Sequence, residues 1–461
     1  MSASAEIRLA VRGRIVSFDG GPGDAPTVHE QGVVLVDAEG LVAAVGDAAE
    51  LLPTLPPGAR VCDHHRHIVM PGFVDPHLHM PQTQVVGSFG TELMEWLAKY
   101  TFPEESRYGD PDVAEAAARF LVDELLRNGT TTAAVYCTSH PVSVDAFLAE
   151  CERRSLRMLA GKVMMDRNAP PRLLDTPERG YEETTALIGR WHGRGRLEIA
   201  ITPRFAPTST DAQLTATGLL AAEHPGLAIQ THLSENHQEI AFVAELFPWA
   251  ADYTSVYERF GLVRPRALFG HCIHLSERER EALGRAGASA IFCPTSNLFL
   301  GSGLFDLAAT RAAGIRVGLA TDIGGGTSYS MLRTAAEAYK VLALNGQRLT
   351  AFEAFHLMTA GNAEAMGMEA RIGLLRPGME ADLVVLDTGA TPAMRRRMER
   401  VETLAEELFA LMTMGDDRAV VATYALGRRV HDRQGFVEHP LPPRADAPFA
   451  PPQDGEEGVE Q

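Results

Sequence analysis

Three things are scarce in this 461-residue chain: paired cysteines, positive charge and long apolar runs. The five cysteines, at 62, 137, 151, 272 and 293, are odd in number and include no Cys-x-x-Cys pair. That excludes a disulfide framework and a thiolate zinc knuckle, and it implies a reducing compartment. Lys and Arg total 42 against 60 Asp and Glu, a formal net charge of −18. Holding a phosphate backbone needs basic surface that displaces counterions, so nucleic acid is excluded as the main partner and a small, uncharged or weakly charged ligand fits better. No run is long enough to span a bilayer, and the opening residues Met-Ser-Ala-Ser-Ala-Glu-Ile-Arg have no basic region ahead of an apolar core. A soluble, cytoplasmic chain without a membrane partner is expected.

What the chain does have is length and a regular alternation. At 45% hydrophobic and 22% charged residues it can bury a large core, and its length suits one large domain with a smaller one. Residues 6 to 70 carry short β-rich runs at 7–11, 14–17, 32–36 and 41–45 between glycine and proline turns, the pattern of a small antiparallel sheet. The cluster Asp63-His64-His65-Arg66-His67 looks metal-binding by composition, but neighbours on a strand point to opposite faces, so a turn or exposed strand end is expected there.

From 72 to 345 apolar strands alternate with amphipathic helical stretches. Strands are expected at 72–79, 131–136, 158–164, 197–202, 227–232, 267–271, 288–293 and 317–321, with helices such as 111–127, 210–223, 276–286 and 331–344 between them. Eight alternations match a (β/α)₈ barrel in number and size. A doubly wound sheet competes, but no glycine-rich dinucleotide fingerprint follows the first strand. Strand-like runs return at 381–386 and 419–424. The expected organisation is an α/β chain: a (β/α)₈ TIM barrel over 71–370, a small composite β-sandwich domain built from 1–70 and 371–439, and a disordered acidic, proline-rich tail at 440–461.

Chemistry in such a barrel sits where strands end. The first strand ends in His77-x-His79, a pair that alone reads as an ordinary strand end although both rings share a face. The fifth ends in Thr231-His232-Leu233-Ser234-Glu235, the sixth in Phe269-Gly270-His271 and the eighth in Ala320-Thr321-Asp322. Imidazoles and a carboxylate brought to one rim describe a catalytic Zn²⁺ site, and iron accepts the same donors.

The ordered pattern Pro-Gly-Phe-Val-Asp-x-His-x-His, His-x-x-Glu, His and Thr-Asp resembles the amidohydrolase superfamily of metal-dependent deaminases and hydrolases, and it covers nearly the whole chain. The resemblance implies that His77, His79, His232 and Asp322 hold one Zn²⁺ per chain, with Fe²⁺ as the alternative. It implies further that Glu235 shuttles protons, Asp322 accepts one, His271 orients the hydrolytic water, and the chain forms a homodimer. One departure concerns the metal count. Binuclear relatives place a lysine after the fourth strand, where Thr202-Pro203-Arg204-Phe205 stands, so a mononuclear site is expected. The other zinc deaminase design, His-x-Glu with Pro-Cys-x-x-Cys, is absent. His237 and His274 have no assigned role and are expected to be structural or solvent-facing.

At the rim, Gln82, Arg204 and Phe205 offer an amide, a guanidinium and an aromatic face, and the stretch 95–103 is expected to be a loop covering the pocket. Together these suit a flat heterocycle bearing a carbonyl, such as an oxopurine. The longer signatures are His-x-His-x-x-Gln, Trp-Leu-x-Lys-Tyr-Thr-Phe-Pro, His-Leu-Ser-Glu-Asn, Cys-Pro-Thr-Ser-Asn-Leu-x-Leu and Thr-Asp-x-Gly-Gly-Gly. They are similar to the guanine-deaminating members of the superfamily. By that resemblance Gln82 and Arg204 would hold the oxo edge of the base, Phe205 would stack on it, and His232 would touch base as well as metal. Water would replace the 2-amino group, giving xanthine and ammonia. A deaminase of another aminopurine, a pterin or a triazine would keep every metal ligand and differ in the pocket.

Overall fold

The computed structural model describes residues 6–90 and 92–435, so the tail expected at 440–461 lies outside the described residues. The strands, in chain order, are β1 Ile7–Ser17, β2 Thr27–Asp37, β3 Val42–Asp47, β4 Arg60–Pro71, β5 Phe73–His79, β6 Thr130–Tyr136, β7 Arg157–Gly161, β8 Val163–Met164, β9 Leu197–Pro203, β10 Ala228–Leu233, β11 Ala267–His271, β12 Ser289–Phe292, β13 Arg316–Leu319, β14 Leu383–Leu386, β15 Val420–Ala425 and β16 Arg428–Asp432. They form two sheets.

Both chain ends contribute to a seven-stranded sheet in the order β16-β15-β14-β4-β1-β2-β3, antiparallel except where β1 runs parallel to β4. The runs expected separately at 7–11 and 14–17 are one strand, joined across a register shift at Gly13–Ile15. The sheet folds over on itself. A Cβ on Gly40, in the turn after β2, would meet the Cβ of Leu426, in the turn after β15, at 2.7 Å. Leu9, Val11, Val34 and Val36 thereby share one core with Leu383, Val385, Ala422 and Tyr424, so the two layers expected of a sandwich are halves of one continuous sheet. The Asp63–His67 cluster lies within β4 rather than in a turn, half-exposed, with His64 Nε2 bonded to the Tyr424 hydroxyl at 2.8 Å.

The second sheet is a nearly closed barrel of eight parallel strands in the order β13-β12-β11-β10-β9-β7-β6-β5, with the short β8 pairing beside β9. Its helices start where the sequence places their caps: the side chains of Asp110, Thr210, Ser276 and Ser330 each accept from a backbone N–H in the first turn of the following helix. Inside the barrel Val74, Ala134, Leu159, Ala200, Ala228, Leu268, Ile291 and Ala320 pack together over Met366, Met368 and Ile372, which close the floor.

β5 is not the uninterrupted strand its sequence suggests. Against β6 it pairs Asp75 with Ala133 and Leu78 with Val135, so three steps on one strand match two on the other, a bulge centred on Pro76 and His77. Side chains alternate along a strand, and one extra residue reverses which face each occupies. Without the bulge, Val74 inside would put Leu78 inside and His77 and His79 outside. With it, Val74 and both histidines face the interior while Leu78 packs outward against the helix Pro111–Arg127.

The sheets are fastened below the barrel by buried ions. Glu380 accepts from Arg157 on β7 through both oxygens, with Nε at 2.8 Å, and from Arg196 Nη1 at 2.6 Å, while Arg196 also meets Asp382 at 3.0 Å. Removing one partner of such a group strands the other charges without water, at roughly 3–5 kcal/mol. Glu380→Ala is therefore expected to lower the denaturant midpoint by a corresponding amount; an unchanged midpoint would mean the network contributes nothing to stability.

Candidate active site

The site forms where four barrel strands stop. His77 and His79 come from the end of β5, His232 from β10, His271 from the last residue of β11, and Asp322 from the segment after β13. Ser234, His271, Cys272 and Asp322 all have positive φ, from 50° to 71°. Non-glycine residues avoid this left-handed region at a cost of order 1–3 kcal/mol and gather there at functional sites. Asp322 Oδ1 lies 3.4 Å from His77 Nε2 and 3.5 Å from His79 Nε2, and His79 Nε2 lies 3.2 Å from His232 Nε2.

Two trios offer metal-ligating atoms within 4.8 Å of one another: His77, His79 and His232, and His77, His271 and Asp322. The far side of each ring separates them. His232 Nδ1 donates to the Arg204 carbonyl at 2.7 Å, which leaves Nε2 a free lone pair turned to the cluster. His77 has no hydrogen-bond partner on either nitrogen and His79 none on Nδ1, though both are buried; a cation bound at the cluster would give His77 Nε2 the partner it lacks. His271 is arranged the other way. Asn297 Nδ2 donates to its Nδ1 at 2.9 Å, so the proton sits on Nε2, which faces Glu235 Oε2 at 3.3 Å and Asp322 Oδ2 at 3.9 Å. The donors fit one metal ion among His77, His79, His232 and Asp322, with His271 as a hydrogen-bond donor beside them.

Burial sets the charges. It pushes His77 down to about 3 and holds His79, His232 and His271 well below the usual histidine range, keeping the rings neutral as ligands must be. It pushes Glu235 well above the ordinary carboxyl value, reinforced by the nearby Glu239 and Asp322. Asp322 is raised by burial too, with His271 pulling it back. Behind the site, Asp75 is fully buried and raised to about 7 by burial, and it accepts from the backbone and hydroxyl of Thr321.

The two unassigned histidines sit behind Glu235. Ser302 Oγ donates to Glu235 Oε1 at 2.9 Å, His274 Nε2 meets the Ser302 carbonyl at 2.7 Å, and the His237 ring lies 3.9 Å from that of His274. His274 thus contacts the segment that carries Ser302, while His237 is exposed to solvent at its side.

A cavity opens onto the cluster. Its walls include His79, His232, Glu235, His271 and Asp322 together with Gln82, Arg204 and Phe205, so each of these residues singled out in the sequence lines it; His77 lies just behind. The stretch 95–103 is not a loop. It belongs to a helical segment running through Leu93–Trp96, a wider turn at Leu97–Thr101 and Phe102–Glu105, and it presents Leu93, Trp96 and Leu97 to the cavity. The spacing of those three, i, i+3 and i+4, is the helical period that the sequence already carried. Sequence reasoning missed Glu105, Asn297 and Ser302, whose partners lie 23 to 99 residues away along the chain.

A model of the amidohydrolase family matches residues 68–430. Guanine deaminase of Escherichia coli (strain K12) is 47% identical over 404 residues, which span 88% of this chain and 92% of that protein. The solved structure of E. coli guanine deaminase superposes with a TM-score of 0.90 at 46% identity, over 92% of this chain and 99% of that one. Guanine deaminase from C. acetobutylicum, solved with guanine in its active site, superposes with a TM-score of 0.84 at 28% identity over the same shares.

The ring geometry separates ligands from neighbours in a way metal analysis can read. His77→Ala is expected to bring bound metal below about a tenth of the wild-type content, whereas Asn297→Ala retains it, because losing the outer partner of a ligating ring costs about 10–100-fold in affinity and Asn297 partners only the non-ligating His271. Metal loss in Asn297→Ala would place His271 among the ligands.

Proposed function

The chain belongs to the amidohydrolase family, and from that premise we infer that it catalyses hydrolytic deamination of guanine to xanthine and ammonia. The observation that carries this reading is that a single cavity is walled both by the histidine and carboxylate cluster and by Gln82, Arg204 and Phe205. His77, His79, His232 and Asp322 would hold the ion, Zn²⁺ by the borderline softness of three imidazoles and a carboxylate, and once bound it would make a water acidic enough to attack near neutral pH.

The remaining work belongs to the protein's own groups. Asp322 accepts the proton that the attacking water gives up. His271, its Nε2–H directed at both carboxylates, orients that water. Glu235 is held protonated by burial and donates to the ring nitrogen beside C2 as the C–O bond forms. Asp322 passes the proton it took to the 2-amino nitrogen, Glu235, now a carboxylate, takes the hydroxyl proton of the adduct, the C–N bond breaks, and ammonia leaves as the new C=O closes, with both carboxyl groups restored to their starting states. Arg204 and Gln82 face the oxo group, Phe205 offers its ring to the base, and His232 forms part of the wall.

All five cysteines are free, in keeping with a cytoplasmic enzyme of purine catabolism, which we propose acts as a homodimer. No helix among the described residues is long and apolar enough to cross a membrane.

Metal-loaded protein is expected to release ammonia and xanthine from guanine; no guanine turnover beside fast turnover of a different heterocycle would overturn the reading. Glu235→Gln is expected to keep its metal and to lose about 10²–10⁴-fold in kcat. A fully active Glu235→Gln enzyme would remove Glu235 from proton transfer.

A further inference from the structure

The substrate end of the cavity rests on a carboxylate that does not itself line it. Glu105 is wholly buried. It accepts from Arg204 Nη1 through both oxygens, at 2.9 and 2.7 Å, and from Gln82 Nε2 at 2.9 Å. Gln82 Oε1 accepts in turn from the Gly324 backbone N–H at 3.2 Å, so its amide is fixed at both ends. Phe102, one helical turn before Glu105, lies under the Arg204 guanidinium with its ring centroid 5.3 Å from Cζ. One turn of helix thus grips Arg204 by charge and by packing.

Two consequences follow from donor counting. Both bonds to Glu105 leave from Nη1, so among the described residues the Nε and Nη2 hydrogens of Arg204 have no acceptor and remain for a ligand. Gln82 likewise keeps one amide hydrogen and one carbonyl lone pair. The carboxylate also offsets the Arg204 charge, which leaves the cavity suited to a neutral base; a bare buried guanidinium would favour an anion.

We propose that Glu105 is a positioning residue that locks Arg204 and Gln82 into a fixed reader of the oxo group of the base, and so sets selectivity for oxo over non-oxo heterocycles. The inference rests on the cavity being a guanine site. Its signature is unequal loss: a ligand with the oxo group should suffer when the reader loosens, and a ligand without it should not.

The test compares wild type with Glu105→Gln for guanine kinetics, for hypoxanthine, which has the oxo group but no 2-amino group, and for 2-aminopurine, which has the reverse. Binding of the last two is measured directly by equilibrium dialysis on metal-loaded protein. A hydrogen bond to a charged group carries enough free energy to make the expected weakening about 10–100-fold for the KM of guanine and the Kd of hypoxanthine. The Kd of 2-aminopurine and the metal content should stay within about threefold. Equal weakening of all three ligands, or none of any, would overturn the inference. Should Glu105→Gln fail to fold, Glu105→Asp keeps the charge while withdrawing it by one methylene, and the same unequal pattern is required of it. Absence of guanine turnover by the wild type would defeat the functional reading instead, while the two dialysis measurements would still decide the role of Glu105.

Discussion

The structure depends on how the barrel closes between its first and last strands. β5 and β13 are not joined by a regular ladder. Side chains and single backbone bonds hold them: Asn362 Nδ2 donates to the carbonyls of Val74 and Leu319 at 2.6 and 2.8 Å while its Oδ1 accepts from Leu319 N at 2.7 Å. Asp75 takes both donors of Thr321, and Asp322 N donates to the His77 carbonyl at 3.0 Å. A ladder would fix spacing but present alternate side chains evenly. This seam instead brings His77, His79 and Asp322 to one point, with the bulge in β5 turning the histidines inward.

Closing the seam takes the site out of water, and the protonation states follow. A neutral imidazole can offer a lone pair to a cation, and a carboxyl group raised by burial can deliver a proton near neutral pH; the same desolvation produces both. His232 and His271 are therefore told apart by hydrogen bonding on the far ring nitrogen and not by burial. The Arg204 carbonyl fixes His232 as a lone-pair donor, and Asn297 fixes His271 as a proton donor. Arg204 thus serves the metal cluster through its backbone and the substrate end through its side chain, which ties the two halves of the cavity to one residue.

Much of this was legible in the sequence because it is written in local periodicity. Each of the eight barrel strands begins within two residues of its expected start, and the helices Pro111–Arg127 and Met331–Leu344 have the expected bounds, since apolar period and capping residues are short-range signals. His77, His79, His232, His271 and Asp322 were legible because each ends a strand. What was not legible is long-range. The bulge at Pro76 appears only once β5 is paired with β6, the fold-over of the terminal sheet only once Gly40 meets Leu426, and Glu105 looked like one more acidic residue after a proline. The stretch 95–103 is a different case: its Leu93, Trp96, Leu97 period was present and was outweighed by the expectation of a covering loop.

Glu105 and Glu235 show why composition alone could not have separated these roles. Both are glutamates buried beside the same cavity, but only Glu235 stands in a marked sequence setting, three residues after His232, while Glu105 follows another glutamate and a proline. Their surroundings divide them. Glu105 meets a guanidinium through both oxygens and an amide N–H, so its negative charge is matched and its geometry is fixed. Glu235 meets a serine hydroxyl and the His271 ring but no full cation, and it lies near Glu239 and Asp322, so burial outweighs the serine hydrogen bond and raises its pKa well above the ordinary carboxyl value. A carboxylate fixed by a cation holds other groups in place, and a carboxyl group left without one can pass a proton. With one behind the cavity wall and the other in it, the same residue type fixes a guanidinium and an amide at one edge and leaves a carboxyl group free to exchange a proton at the other.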